Sequence, residues 1–173
     1  MGKIVNPQRV KLFIGLIFQK SAKIADIKNR LRSKFGNIDF ESEILDFNYT
    51  DYYKKEFGAN LKRSFLSFSK LILPDKISAI KNTTNKLEIS LSKNHKRLIN
   101  LDPGYLNDAK VVLATTKDYA HRIYLKNGIY AETTLVFTKG AFKPYSWTYP
   151  DYQSREYADI FAQIRNIFIQ QRK

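Results

Sequence analysis

Cysteine is absent from the chain, which excludes a disulfide framework and any thiolate metal site. Histidine is nearly absent too, with only His95 and His121. A metal centre would therefore have to draw on His121, Asp102 and Glu132, a set better suited to Mg²⁺ or Mn²⁺ with substrate oxygens than to structural zinc; no metal site is assigned. The seven glycines are scattered, and none sits in a Gly-x-x-x-x-Gly-Lys-Ser/Thr phosphate loop. Long apolar runs are also missing. The longest, Leu12 to Phe18, is far below the roughly 20 residues of a membrane span, and no small-residue cleavage site follows it. The expected address is the cytoplasm, with no membrane partner.

What remains is enough for one core. At 173 residues the chain has the size of a single domain, 1–173, with no Gly/Ser-rich or Pro-rich linker and no internal repeat. The formal charge is +14, which suits a polyanion. Lysine outnumbers arginine 21 to 9 amid abundant Ile, Asn, Phe and Tyr, so an A/T-rich codon bias yields the same charge without a binding face. The charge is also uneven. Residues 1–36 hold nine basic residues and one acid, whereas residues 37–60 hold six acids against Lys54 and Lys55.

Hydrophobic spacing predicts an α+β chain. Val10 to Phe18 reads as a buried strand. Ile24, Ile27, Leu31 and Phe35 then follow at helical spacing, with Ser21 placed to cap and Gly36 to stop. Lysines and arginines fill the rest of that helix, as a solvated face or a polyanion-binding one. Phe40 to Tyr49 alternates as one strand that puts Asp46 beside Ile44, and Arg63 to Ile72 as a second that sets Lys70 among apolar neighbours. A lysine so placed snorkels to water along its stem.

Pro74 can open a helix whose stripe, Ile77, Ile80, Leu87 and Leu91, breaks at Lys93-Asn94-His95. Arg97 to Leu101 adds a strand. The order βαββαβ matches a ferredoxin-like core, extended by an added β-hairpin and a C-terminal helix. Lys110 to Leu113 reads as a short helix capped by Asn107 or Asp108, or else as a strand. Asp151 to Gln171 supplies the last helix, with Tyr157, Ile160, Phe161, Ile164 and Phe168 inward.

Asn127-Gly128 between alternating runs predicts a two-residue type I′ turn in a hairpin from His121 to Phe137. Counting from the turn pairs Leu125 with Tyr130, Ile123 with Glu132 and His121 with Thr134. His121 and Glu132 then become diagonal neighbours, roughly 7–8 Å apart at Cβ, with Arg122 on the other face. A carboxylate beside an imidazole suits a general base or a phosphate-binding cation; it also suits a structural ion pair. Asn100 and Asp102 stand where a strand ends and Pro103-Gly104 turns the chain. Thr115, Thr116 and Lys117 add hydroxyls and a cation, Trp147 and Tyr149 an aromatic wall, and Asp151 a helix cap.

The motifs Ile99 to Tyr105, Leu113 to Asp118, His121 to Leu125, Gly128 to Glu132 and Trp147 to Asp151 together make the chain resemble an uncharacterised bacterial family, domain-of-unknown-function family 4416. Phe47, Tyr52, Tyr53 and Glu56 share in the likeness. The resemblance implies a shared fold and no established activity. Some members carry a GTP-binding label, which these residues do not support: Thr115-Thr116-Lys117-Asp118 lacks the residue a guanine-reading motif has between Lys and Asp.

Three functions are compatible with these features. One is a pocket for a small anionic ligand, a nucleotide or phosphometabolite. Lys117, His121 and Arg122 would contact the anion, and Asn100, Thr115, Thr116, Tyr124, Trp147, Tyr149 and Asp151 would line the site. If it is an enzyme, His121 would work with Asp102 or Glu132 as proton carrier. Another is an RNA-binding module using the basic surface, although no RNP-type motif is present. The third is a noncatalytic scaffold. Any cofactor and the oligomeric state stay open at this level.

Overall fold

A computed structural model describes residues 2–19, 22–50, 58, 60–92 and 97–172. The strands are β1 (Lys11–Gln19), β2 (Ile38–Glu41), β3 (Leu45–Phe47), β4 (Leu61–Phe68), β5 (Ile99–Leu106), β6 (Lys110–Thr115), β7 (Ile123–Lys126), β8 (Ile129–Thr138) and β9 (Ala141–Pro144). The helices are α1 (Ile24–Phe35), α2 (Ile77–Ser90) and the C-terminal α3 (Arg155–Gln171), the three α-helices among the described residues. All nine strands join one antiparallel sheet in the order β2-β4-β1-β5-β6-β8-β7, with β3 also on β4 and β9 also on β8. No helix among the described residues is long and apolar enough to cross a membrane.

The apolar run of β1 is explained by its central place, with β4 and β5 on its two sides. Leu12, Ile14, Leu16 and Phe18 pack with Leu66, Phe68, Ile99 and Leu101 beneath Ile27 and Leu31 of α1 and Ile77, Ile80 and Leu87 of α2. The opposite face carries Phe13, Phe65, Leu106 and Val111 beneath Tyr157, Ile160, Phe161, Ile164 and Phe168 of α3. Phe161 meets Phe13 and Phe65 edge-on at 4.9 and 5.2 Å. Burying such a ring stabilises by roughly 1.5–3 kcal/mol. Lys11, also fully buried, pairs with Asp39 and donates to Gln171 Oε1 at 2.7 Å, fastening the end of α3 to the sheet. Two more acids of the acidic block are paired in this way, Glu41 with Lys28 and Asp46 with Lys62.

Several local expectations are corrected. Phe40 to Tyr49 is two short strands, because Ser42 breaks the ladder: its hydroxyl accepts the Phe65 N–H at 2.9 Å where a backbone carbonyl would serve. Ile44 and Asp46 are both exposed. The strand expected at Arg63–Ile72 runs from Leu61 to Phe68, leaving Lys70 exposed and Ile72 bridged to Val10. Gly36, at φ +95°, ends α1 as expected. The N-cap position is Lys23, which makes no side-chain cap, while Ser21 and the Lys93-Asn94-His95 break lie outside the described residues.

Pro103-Gly104 does not turn the chain; β5 runs through it to Leu106. A Cβ on Gly104 would stand 2.4 Å from the Phe13 ring and 2.5 Å from the Val112 carbonyl oxygen, so glycine is required by close approach. Asn107 Oδ1 accepts from the N–H of Ala109 and Lys110, both at 3.0 Å, making a tight turn that starts the strand β6 in place of a helix. Asn127 and Gly128 have φ of 55° and 74°, as a type I′ turn requires. An irregularity between Tyr124 and Lys126 shifts the hairpin register, so that Tyr124 faces Tyr130 and Ile123 faces Ala131. The final helix begins at Arg155, capped by Ser154 Oγ on the Tyr157 N–H, so Asp151 is not its cap.

Candidate functional site

The sheet is split at its middle. β5 pairs with β1 from Ile99 to Leu106 but with β6 only from Gly104 to Leu106. Pro103 has no N–H to offer β6, and the pairing stops beside it. Upstream, the buried Leu101 peptide groups are claimed by α2: Glu88 Oε1 accepts the Leu101 N–H at 2.7 Å, and Lys81 Nζ donates to the Leu101 carbonyl at 2.9 Å. Lys81 and Glu88 stand two helical turns apart on one face of α2. Buried backbone groups need such partners when a neighbouring strand is missing.

The gap leaves a cavity of about 560 Å³. Its walls are Ile17 of β1, Phe47 of β3 with Tyr49 and Thr50 after it, Arg63 of β4, and Lys81, Asn85 and Glu88 of α2. Arg97 before β5 and Asn100 and Asp102 within it line the cavity, as do Leu113, Ala114, Thr115, Thr116 and Lys117 at the end of β6. Glu132 of β8 and Tyr149, Pro150, Asp151 and Tyr152 close it. Of the residues singled out by sequence, Asn100, Asp102, Thr115, Thr116, Lys117, Glu132, Tyr149 and Asp151 are brought to this one space. His121, Arg122, Tyr124 and Trp147 do not line it.

Sequence reasoning missed Arg63, Lys81, Glu88 and Arg97. The first three had a legible signal, since each is a charge within an apolar strand or on the buried stripe of a helix.

Arg63 is the most deeply buried of the cations that line the cavity, 1% exposed. Its Nη1 reaches Asp102 Oδ2 at 3.3 Å and its Nη2 donates to the Tyr152 hydroxyl at 2.7 Å. The guanidinium lies over the rings of Phe65, Tyr152 and Tyr157 at 4.6, 5.3 and 5.7 Å. Gly15 makes room for it, because a Cβ there would come within 2.8 Å of Nη2. Burial alone would lower its pKa, but Tyr152, Tyr157, Asp151 and Asp102 outweigh burial and push it up.

The carboxyls fall into two kinds. Burial would raise Asp102, but Lys81, Arg63 and a 2.7 Å hydrogen bond from Asn100 Nδ2 outweigh it and hold the group below the ordinary aspartate range. For Asp151, burial prevails over Arg63 and lifts the pKa. Glu88 is lifted likewise by burial, against Lys81, the Leu101 N–H and Arg97. Only Asp102 among the cavity carboxyls opens substantially to solvent, its side chain 27% exposed against 4% for Glu88 and 1% for Glu132. On the cationic side, Arg97 is 29% exposed and Lys117 is exposed.

Glu132 organises the outer wall. Its Oε2 accepts from Arg122 Nε at 2.7 Å and lies 3.2 Å from His121 Nε2. Arg122 also donates to the Lys117 carbonyl at 3.1 Å and to the Tyr149 hydroxyl at 2.5 Å. The expectation that His121 and Arg122 point to opposite faces is therefore wrong. Both precede β7 in a turn, with the Arg122 N–H on the Tyr119 carbonyl, so strand alternation does not apply. The His121 ring stacks on Trp147 at 5.5 Å, edge-on to Tyr119 at 5.4 Å, and Trp147 stacks in turn on Tyr145 at 4.6 Å. Tyr124 is exposed on edge strand β7 against Tyr130. His121, Asp102 and Glu132 do not converge as a ligand set, and the described residues hold no cluster of three or more histidine and acidic side chains fit for a metal ion.

A family model described as Domain of unknown function (DUF4416) matches residues 8–168. No curated protein matches the chain. No solved structure matches it.

Proposed function

The chain belongs to the DUF4416 family, a domain of unknown function, and from that premise we propose that it binds a small anionic ligand in the cavity between β5 and β6. The observation that carries this reading is the mixture of groups a ligand there can touch: the cations Arg97 and Lys117, the Thr115 and Thr116 hydroxyls, and one solvent-reaching carboxylate, Asp102. The volume lies within the roughly 300–1,000 Å³ of small-molecule sites.

Asp102, kept ionised, is the acceptor of the site. Asp151, in the segment that closes the cavity, is lifted by burial against Arg63. A pair of carboxyls driven apart in this way is the arrangement acid–base chemistry uses, so a catalytic role falls to Asp102 and Asp151. His121 acts only through Glu132, as a positioning residue.

The surrounding scaffold supports the same reading. We read the order β2-β4-β1-β5, antiparallel with α1 and α2 on one face, as a ferredoxin-like core in one domain, extended by β6, β8 and β7. The ligand site lies at the junction between core and extension.

Calorimetric titration with phosphate- and carboxylate-bearing metabolites, and with single-stranded RNA, at low and high salt tests the proposal. Saturable binding of a small anion that survives high salt and weakens in Lys117→Ala supports it. Binding of RNA alone, lost at high salt, would replace it with a polyanion surface.

A further inference from the structure

Along the cavity wall, Arg97, Asn100 and Asp102 form a row. Arg97 Nη1 donates to Asn100 Oδ1 at 3.4 Å, and Asn100 Nδ2 donates to Asp102 Oδ2 at 2.7 Å. These two bonds fix which way the amide points. One amide group thus separates a guanidinium from a carboxylate, and both side chains reach solvent in the cavity.

The two ends of the row ask for opposite things. Arg97 attracts an anion. Asp102 repels one and accepts a hydrogen bond. Its Oδ2 already takes Asn100 and Arg63, whereas Oδ1 faces Lys81 Nζ at 3.7 Å, beyond hydrogen-bond length. Oδ1 therefore keeps acceptor capacity toward the cavity.

Resting on the small-ligand reading above, we infer that the ligand is bipolar: an anionic group on the Arg97 side and a hydroxyl or ammonium donor on Asp102, about four to six bonds away. The spacing follows from the row, since one amide and two hydrogen bonds place the two contacts roughly 5–8 Å apart. A bare anion fills one end and leaves the acceptor capacity of Asp102 Oδ1 unused, so the carboxylate works as a filter as well as an anchor.

The test compares matched probes by calorimetry: ethyl phosphate against phosphoethanolamine, and butyrate against 4-hydroxybutyrate. A hydrogen bond to a charged acceptor predicts that the donor-bearing member of the matching pair binds about tenfold more tightly. In Asp102→Asn that gap closes, while the alkyl member binds as well as before or better. Equal affinity of the two members in the wild-type protein overturns the inference and leaves the anion site standing. Failure of all four to bind overturns the small-ligand reading itself. Because the wild-type comparison needs no substitution, a poorly folding variant does not blunt it.

Discussion

Replacing Glu88 with alanine removes the side chain that stands in for a missing strand. The Leu101 N–H, fully buried, loses the Glu88 acceptor at 2.7 Å, and an unsatisfied buried donor costs about 1–3 kcal/mol. The 2.8 Å contact to Arg97 goes too, and because Arg97 is partly exposed it adds only about 0.5–1 kcal/mol. Glu88→Ala is therefore expected to destabilise by about 2–4 kcal/mol. Glu88→Gln keeps an acceptor oxygen for Leu101 and loses only charge, at about 1 kcal/mol.

Urea unfolding followed by tryptophan fluorescence and circular dichroism measures both variants. With a slope of about 2 kcal/mol per M, Glu88→Ala moves the midpoint down by roughly 1–2 M. The pH dependence adds a control. Burial raises the folded Glu88 pKa, so the unfolded chain releases that proton first and stability falls as pH climbs from the ordinary glutamate range through the folded value. Glu88→Gln, with nothing to titrate, lacks that slope. A midpoint for Glu88→Ala within 0.2 M of wild type, or equal losses in the two variants, would refute the claim that α2 closes the split sheet.

Three further substitutions separate backbone from charge. Asp102 has the opposite sign to Glu88: its folded pKa is depressed, so its contribution is present above the ordinary aspartate value of about 3.9 and is lost as pH falls through the folded value. Acid titration of stability should show this extra loss in wild type and not in Asp102→Asn. Gly104→Ala drives a Cβ into the Val112 carbonyl and the Phe13 ring and should leave little folded protein on expression. Gly128→Ala, which meets nothing within 4 Å but keeps φ +74°, should cost only about 1–2 kcal/mol by thermal melting.

Much of the scaffold was legible because local periodicity survived folding. The stripes of α1, α2 and α3 and the Asn-Gly turn rest on spacing and φ preferences that neighbours did not override. Other features depended on contacts between distant segments. Pro103-Gly104 looks like a turn until Phe13 and Val112 are placed against it, and the hairpin register could not be counted because the irregularity near Leu125 leaves no mark in composition. At the site, Asn100 to Asp151 was found as a cluster of polar residues in one stretch. Arg63, Lys81 and Glu88 escaped notice because each meets its partners, Asp102 and the Leu101 peptide, only through the fold.

The most direct measurement is a titration with phosphoethanolamine and with 4-hydroxybutyrate, each followed by backbone amide shifts in ¹H–¹⁵N spectra. A ligand site in the split sheet predicts saturable shifts, with at least one of them, at Leu101, Asp102, Thr115, Thr116 and Lys117, with the amides of α1 unmoved. Shifts spread along the lysines of α1 and absent from β5 and β6, or none with either compound, would contradict it.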